Sequence, residues 1–214
     1  MYWNEYLYAY HKKHGGQFLA GEDDDGLLLL TWKDRPLVVD LLRESGRGGC
    51  FYQVQARLPA TLAKPYKLDI GPERTVSAGV KRVLGAVRGL RDNAIRRKDF
   101  GFPEVTGKRL IRTGNAPFTK LALGSLDLRN ALPACPQDAL KVRPGPGDGP
   151  HLITVTTAAS INSLSADVGG WYLDAEFYGN EEEKARREAA FFLRMDRFLA
   201  LIQAAYDAVT QWPM

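Results

Sequence analysis

A chain of 214 residues with 45% hydrophobic and 25% charged side chains has enough apolar material for one substantial core and too much for a disordered polymer. Its net charge of +4 is modest. Neither a basic leader with an apolar stretch behind it nor a run near the ~20 apolar residues of a membrane-spanning helix is visible, so the expectation is a single soluble α+β domain over 1–214, placed in the cytoplasm.

The elements follow in chain order. Tyr2 to His14 carries Trp3, Tyr6, Leu7 and Tyr10 roughly on one face, which predicts an aromatic packing helix. Gly15 and Gly16 supply its left-handed stop. Leu27–Trp32 and Leu37–Leu42 read as extended segments joined by the polar turn Lys33 to Pro36. Phe51–Leu58 alternates Tyr52, Val54, Ala56 and Leu58 against Gln53, Gln55 and Arg57, the period of a half-buried strand, and Tyr66–Ile70 continues the sheet.

Val76–Leu90 has helical spacing weakened by Gly79, Gly85 and Gly89. A short strand is expected at Arg109–Thr113, then a helix Ala116–Leu123 capped by Asn115, and another beginning at Ser125 or Asp127 and stopped by Pro133. Leu140–Val142 and Ile153–Val155 flank the glycine and proline run 144–150, which predicts a hairpin. Residues 158–180 show no period and read as an irregular connection. From Glu181 to Trp212, Phe192, Met195, Leu199, Ile202, Tyr206, Val209 and Trp212 recur every three or four positions behind the cap residue Asn180. This predicts a long amphipathic helix over a mainly antiparallel sheet of hairpins, with helices packed on one face.

This order of segments resembles a group of bacterial proteins classed as a domain of unknown function. The likeness rests on HGGQFLAG after the aromatic helix, KDRPLVVD, FYQVQARL, RLIRTGNAPFTKLAL and the C-terminal helix. It implies an order of fold elements and carries no activity, cofactor or functional residue with it.

Candidate chemistry is sparse. Between Lys81 and Arg112 stand ten basic residues, Lys81, Arg82, Arg88, Arg91, Arg96, Arg97, Lys98, Lys108, Arg109 and Arg112, against three acidic ones, a local +7 that would suit an anion or nucleic acid. A solvated charged face is the plainer reading. Trp3, Tyr6 and Tyr10, with Trp171, Tyr172, Phe177 and Tyr178, are candidates for an aromatic groove, and core packing is the plainer account of them.

His11 and His14 have a helical spacing that could share a metal with His151 or the acidic Glu22 to Asp25 turn, yet no HExxH or cysteine partner supports one. Asp23–Gly26 holds a fragment of a calcium loop that lacks the distal ligands. Asp174 and Glu176 would lie on one side of a strand, the minimum for paired acid/base work, and His151 joins them as a candidate. No GxSxG or GxxxxGK[ST] motif occurs. Cys50 and Cys135 are isolated and read as reduced thiols.

The leading expectation is therefore a non-enzymatic binding or interaction module that needs no cofactor. Self-association through Phe191, Phe198 and Leu201, which lie off the helical seam, is one form of partnership considered. The alternatives are an anion- or nucleic-acid-binding protein using 81–112 and an enzyme with carboxylates in the 158–180 connection.

Overall fold

The computed structural model describes residues 3–46, 49–72, 100–106, 109–147, 149–160, 171 and 180–212. Its strands are β1 (Gln17–Leu19), β2 (Leu27–Trp32), β3 (Arg35–Gly46), β4 (Gly49–Ala60), β5 (Leu68–Pro72), β6 (Arg109–Thr113), β7 (Ala139–Arg143) and β8 (His151–Ser160). They form one eight-stranded sheet in the order β1-β2-β3-β4-β8-β7-β5-β6. Every pairing is antiparallel, so the α+β fold with a sheet of hairpins stands.

The helices are α1 (Trp3–His14), α2 (Pro103–Thr106), α3 (Ala116–Leu123), α4 (Leu126–Ala134) and α5 (Glu181–Thr210). Helix α5, at 30 residues, is about 45 Å long. Asn180 caps it, its side chain accepting from the Glu183 N–H at 2.9 Å. Hydrogen bonds from Arg186 and Arg187 hold the Glu183 carboxyl down at about 2.

Alternation in the strands defines the core. Leu37, Val39 and Leu41 of β3, Val54, Ala56 and Leu58 of β4, and Ile153 and Val155 of β8 are all buried, while Gln53, Gln55 and Arg57 on the opposite face of β4 are half-buried. Helix α5 lies across the apolar face against β4 and β8, with α1, α3 and α4 packed beside it.

That crowding corrects one expectation. Phe191, Phe198 and Leu201 are fully buried, whereas the seam residues Phe192 and Leu199 sit nearer its edge at 8% and 7% exposure, and Trp212 is 42% exposed. A helix touching a sheet and three other helices buries a wide arc, not one stripe. The proposed self-association through Phe191, Phe198 and Leu201 therefore has no surface to use.

Other differences are local. Strands β3 and β4 are 12 residues each and longer than the segments read from the sequence. The β1 strand is three residues and was not foreseen. The strand after Pro65 begins at Leu68 because the Tyr66 N–H turns to His151 Nε2 at 3.0 Å. Strand β8 reaches Ser160 through its pairing with β4 and shortens the irregular connection. The expected helix at 76–90 lies outside the described residues.

The N-terminal end of α1 is held by the connection between β1 and β2, and its C-terminal end closes on itself. Asp24 accepts from the backbone N–H of Trp3 at 3.0 Å and of Asn4 at 2.8 Å, so it serves as a distant cap and not as part of a calcium loop. At the other end the Gly15 N–H donates to the His11 carbonyl at 2.8 Å. Gly15 and Gly16 have φ of 81° and 89°. A Cβ on Gly16 would meet Leu30 Cδ2 at 2.6 Å, so position and conformation both require glycine.

Candidate functional site

The strongest polar cluster is sealed inside. Arg194 of α5 donates to Asp138 Oδ1 at 2.5 Å and to Thr157 Oγ1 at 3.0 Å, with side-chain exposures of 8% for the arginine and 0% for the aspartate. Its guanidinium also lies 4.8 Å from the Trp171 ring centre and 5.4 Å from that of Phe198. Arg109 of β6 donates to the carbonyls of Leu132 at 2.5 Å, Cys135 at 2.6 Å and Asp138 at 3.0 Å. A cation thereby closes the negative end of α4.

Burial pushes the Asp138 carboxyl up, against the pull of Arg194 and Arg109. Burial also pushes the Cys135 thiol up to about 12, with Asp138 adding to the effect. These groups tie β6, β8, α4 and α5 together, and their burial suits scaffolding.

The described members of the expected aromatic groove are core instead. Trp3, Tyr6, Tyr10 and Trp171 are 1%, 4%, 3% and 0% exposed. Trp171 meets Phe191 at 5.5 Å and Phe198 at 5.2 Å, edge to face, while Tyr6 stacks on Phe191 at 5.2 Å. Large rings buried at these spacings stabilise the core beyond their area, which leaves them no free surface for a ligand. Tyr172, Phe177 and Tyr178 lie outside the described residues.

Of the basic segment, Lys81, Arg82, Arg88, Arg91, Arg96, Arg97, Lys98 and Lys108 also lie outside the described residues. Arg109 is 5% exposed and engaged by three carbonyls, which removes it from any anion-binding surface. Arg112 is half-buried, opposite Asp69 in the β5–β6 register.

His151 is buried and accepts the Tyr66 N–H through Nε2, so the ring is neutral and structural, its pKa lowered by burial. His14 stacks on Tyr10 at 4.2 Å. Among the described residues no three His, Cys, Asp or Glu side chains stand close enough to hold a metal. Asp174 and Glu176 lie outside them.

The accessible feature with chemical character is elsewhere. An open cleft of about 380 Å³ is lined by Trp32 at the end of β2, Asp127, Asn130 and Ala131 of α4, and Ala200, Gln203, Ala204 and Asp207 of α5. Ala131, Ala200 and Ala204 keep the two helices close and the cleft shallow. The α4 pattern that buries Leu128 and Leu132 leaves Asp127 and Asn130 exposed.

Trp32 packs partly on the core, and its Nε1 is buried without a hydrogen-bond partner. The neighbouring turn is under tension: Lys33 and Asp34, between paired Trp32 and Arg35, have φ of 48° and 60°. A two-residue hairpin turn favours such values, and lysine pays for them where glycine would not. Lys33 Nζ is fixed by Asp207 Oδ1 at 2.6 Å and lies 5.6 Å from the Trp32 ring centre.

A second cleft, of about 370 Å³ at the end of α5, is lined by residues such as Thr61, Leu62 and Trp212, with no charged side chain in its wall. Sequence reasoning passed over Trp32 as a strand end. The available signal was a glycine-free Lys33-Asp34 turn beside a tryptophan.

No family model and no curated protein matches the chain. Among solved structures it is similar to the mycobacterial trehalose monomycolate transport factor A, at 9% identity over 92% of this chain and 94% of that one, with a TM-score of 0.43. A likeness at that level carries no functional argument.

Proposed function

We propose that the protein is a non-catalytic binding module whose ligand surface is the Trp32 cleft. One observation carries the reading. An aromatic wall from Trp32, an alanine floor and the polar side chains of Asp127, Asn130, Gln203 and Asp207 line one open cleft. Apolar walls with a few convergent polar groups are the usual composition of a small-molecule site, and the volume falls in the ordinary range.

Fragment screening by amide and indole NMR tests this, with the Trp32 indole signal assigned by its loss in Trp32→Phe. Binders are expected to shift that indole together with the Asn130 and Gln203 side-chain amides. Hits that gather on Gln53 and Gln55, across the sheet, would remove the reading.

A second reading, anion or nucleic-acid binding, is supported by the concentration of ten basic against three acidic residues between Lys81 and Arg112. Binding to heparin that falls steeply with salt supports it, and no binding at ~50 mM salt removes it. Kinship with the bacterial domain-of-unknown-function group and a cytoplasmic location belong to the same proposal. The location rests on the free, buried Cys135 thiol.

A further inference from the structure

Resting on the Trp32 cleft as the ligand surface, we infer that the group it takes is an alkylammonium and that Lys33 is its built-in competitor. The chain's own cation is the guide. Lys33 Nζ sits 2.6 Å from Asp207 Oδ1 and 5.6 Å from the Trp32 ring centre, so one lining carboxylate and one lining ring already accept an ammonium at the cleft's edge. That pairing, electrostatic on one side and cation–π on the other, is the chemistry by which proteins hold amines.

The remaining lining side chains extend the preference inward. Asp127 is a second carboxylate in the wall, no lining residue is cationic, and Asn130 and Gln203 offer amide oxygens. Among the described residues Asp127 enters no ion pair. The alanine floor leaves room for a methylene chain beside the Trp32 ring.

Lys33 reaches this position from a turn residue at φ 48°, a conformation unfavourable for lysine. Its side chain is 55% exposed, so it can leave Asp207 without disturbing the core. An incoming ammonium would take its place, and the ligand's affinity is lowered by that competition.

The shared chemistry has two sources, a free diamine or a lysine side chain of a partner. The test titrates full-length ¹⁵N-labelled protein with cadaverine, with Nα-acetyl-lysine methylamide, and with 1,5-pentanediol as the uncharged match. Wild type, Lys33→Met, Asp207→Asn and Asp127→Asn are compared.

Cadaverine is expected to shift the Trp32 indole, to bind about 3- to 10-fold tighter to Lys33→Met, and to weaken in both aspartate variants. Tighter binding of the lysine amide than of cadaverine points to a partner protein, and the reverse to a free amine; either agrees with the inference. Equal shifts from pentanediol would overturn the amine inference and leave the cleft reading standing. Amine-induced shifts confined to residues away from Trp32 would overturn both, as would no shift in wild type and Lys33→Met up to saturating diamine.

Discussion

Arg194 Nη2 and Asp138 Oδ1 lie 2.5 Å apart with both side chains withdrawn from water, joining the middle of the longest helix to the turn that leads into β7. A buried pair of this kind contributes little net stability compared with apolar residues of the same size, but losing one member leaves an uncompensated charge. Arg194→Met should therefore cost about 3–5 kcal/mol in urea unfolding at pH 7. The double variant Arg194→Met, Asp138→Leu should regain most of that loss. A single variant as stable as wild type would show that losing Arg194 leaves no uncompensated charge at Asp138.

Arg109 is the residue whose sequence reading and structural role differ most. Charge alone placed it in an anion-binding segment, whereas its guanidinium is spent on three carbonyls at the end of α4. Arg109→Met should lose about 1.5–3 kcal/mol, the scale of a hydrogen-bonded charge. Heparin retention of the folded variant should be unchanged. Earlier elution with unaltered stability would return Arg109 to the surface.

His151 makes stability depend on acid. Its pKa is lowered by burial from 6.5, so the unfolded chain binds the proton first. The stabilising contribution is complete above pH 6.5 and is lost as pH falls from there toward the lower folded value. His151→Gln keeps an acceptor for the Tyr66 N–H and should flatten the profile in that window. Thermal melts between pH 5 and 8 measure it, and an unchanged slope in the variant would assign the effect to another group.

Cys135 should be inert while the protein is folded. Burial holds its thiol near 12 and its side chain is 1% exposed, donating to the Arg197 carbonyl at 3.4 Å. Alkylation with iodoacetamide at pH 8 should proceed only at the rate of unfolding. Rapid labelling of Cys135 in native conditions would mean that α4 and α5 separate readily.

What the sequence disclosed follows physical locality. The Asn180 cap, the Asn115 cap, the Gly15 stop and the β2–β3 turn depend on neighbours within a few residues, and all stand in the structure. The insertion of β5 between β6 and β7 depends on pairings across dozens of residues, which local pattern does not encode. The aromatic residues divided in the same way. Hydrophobic period could mark Trp3 and Tyr6 as one face of a helix, but only the arrival of Trp171 and Phe191 decides that the face is core. Of the Trp32 cleft only the glycine-free Lys33-Asp34 turn beside the tryptophan was legible, because the rest of its wall is drawn from the polar sides of two helices distant in sequence.

The most direct measurement is a crystal structure of the Lys33→Met protein grown with cadaverine. Density is expected for one ammonium against Asp207, with the methylene chain along Trp32 and its far end directed toward Asp127. An empty Trp32 cleft with the diamine ordered elsewhere on the molecule would contradict it.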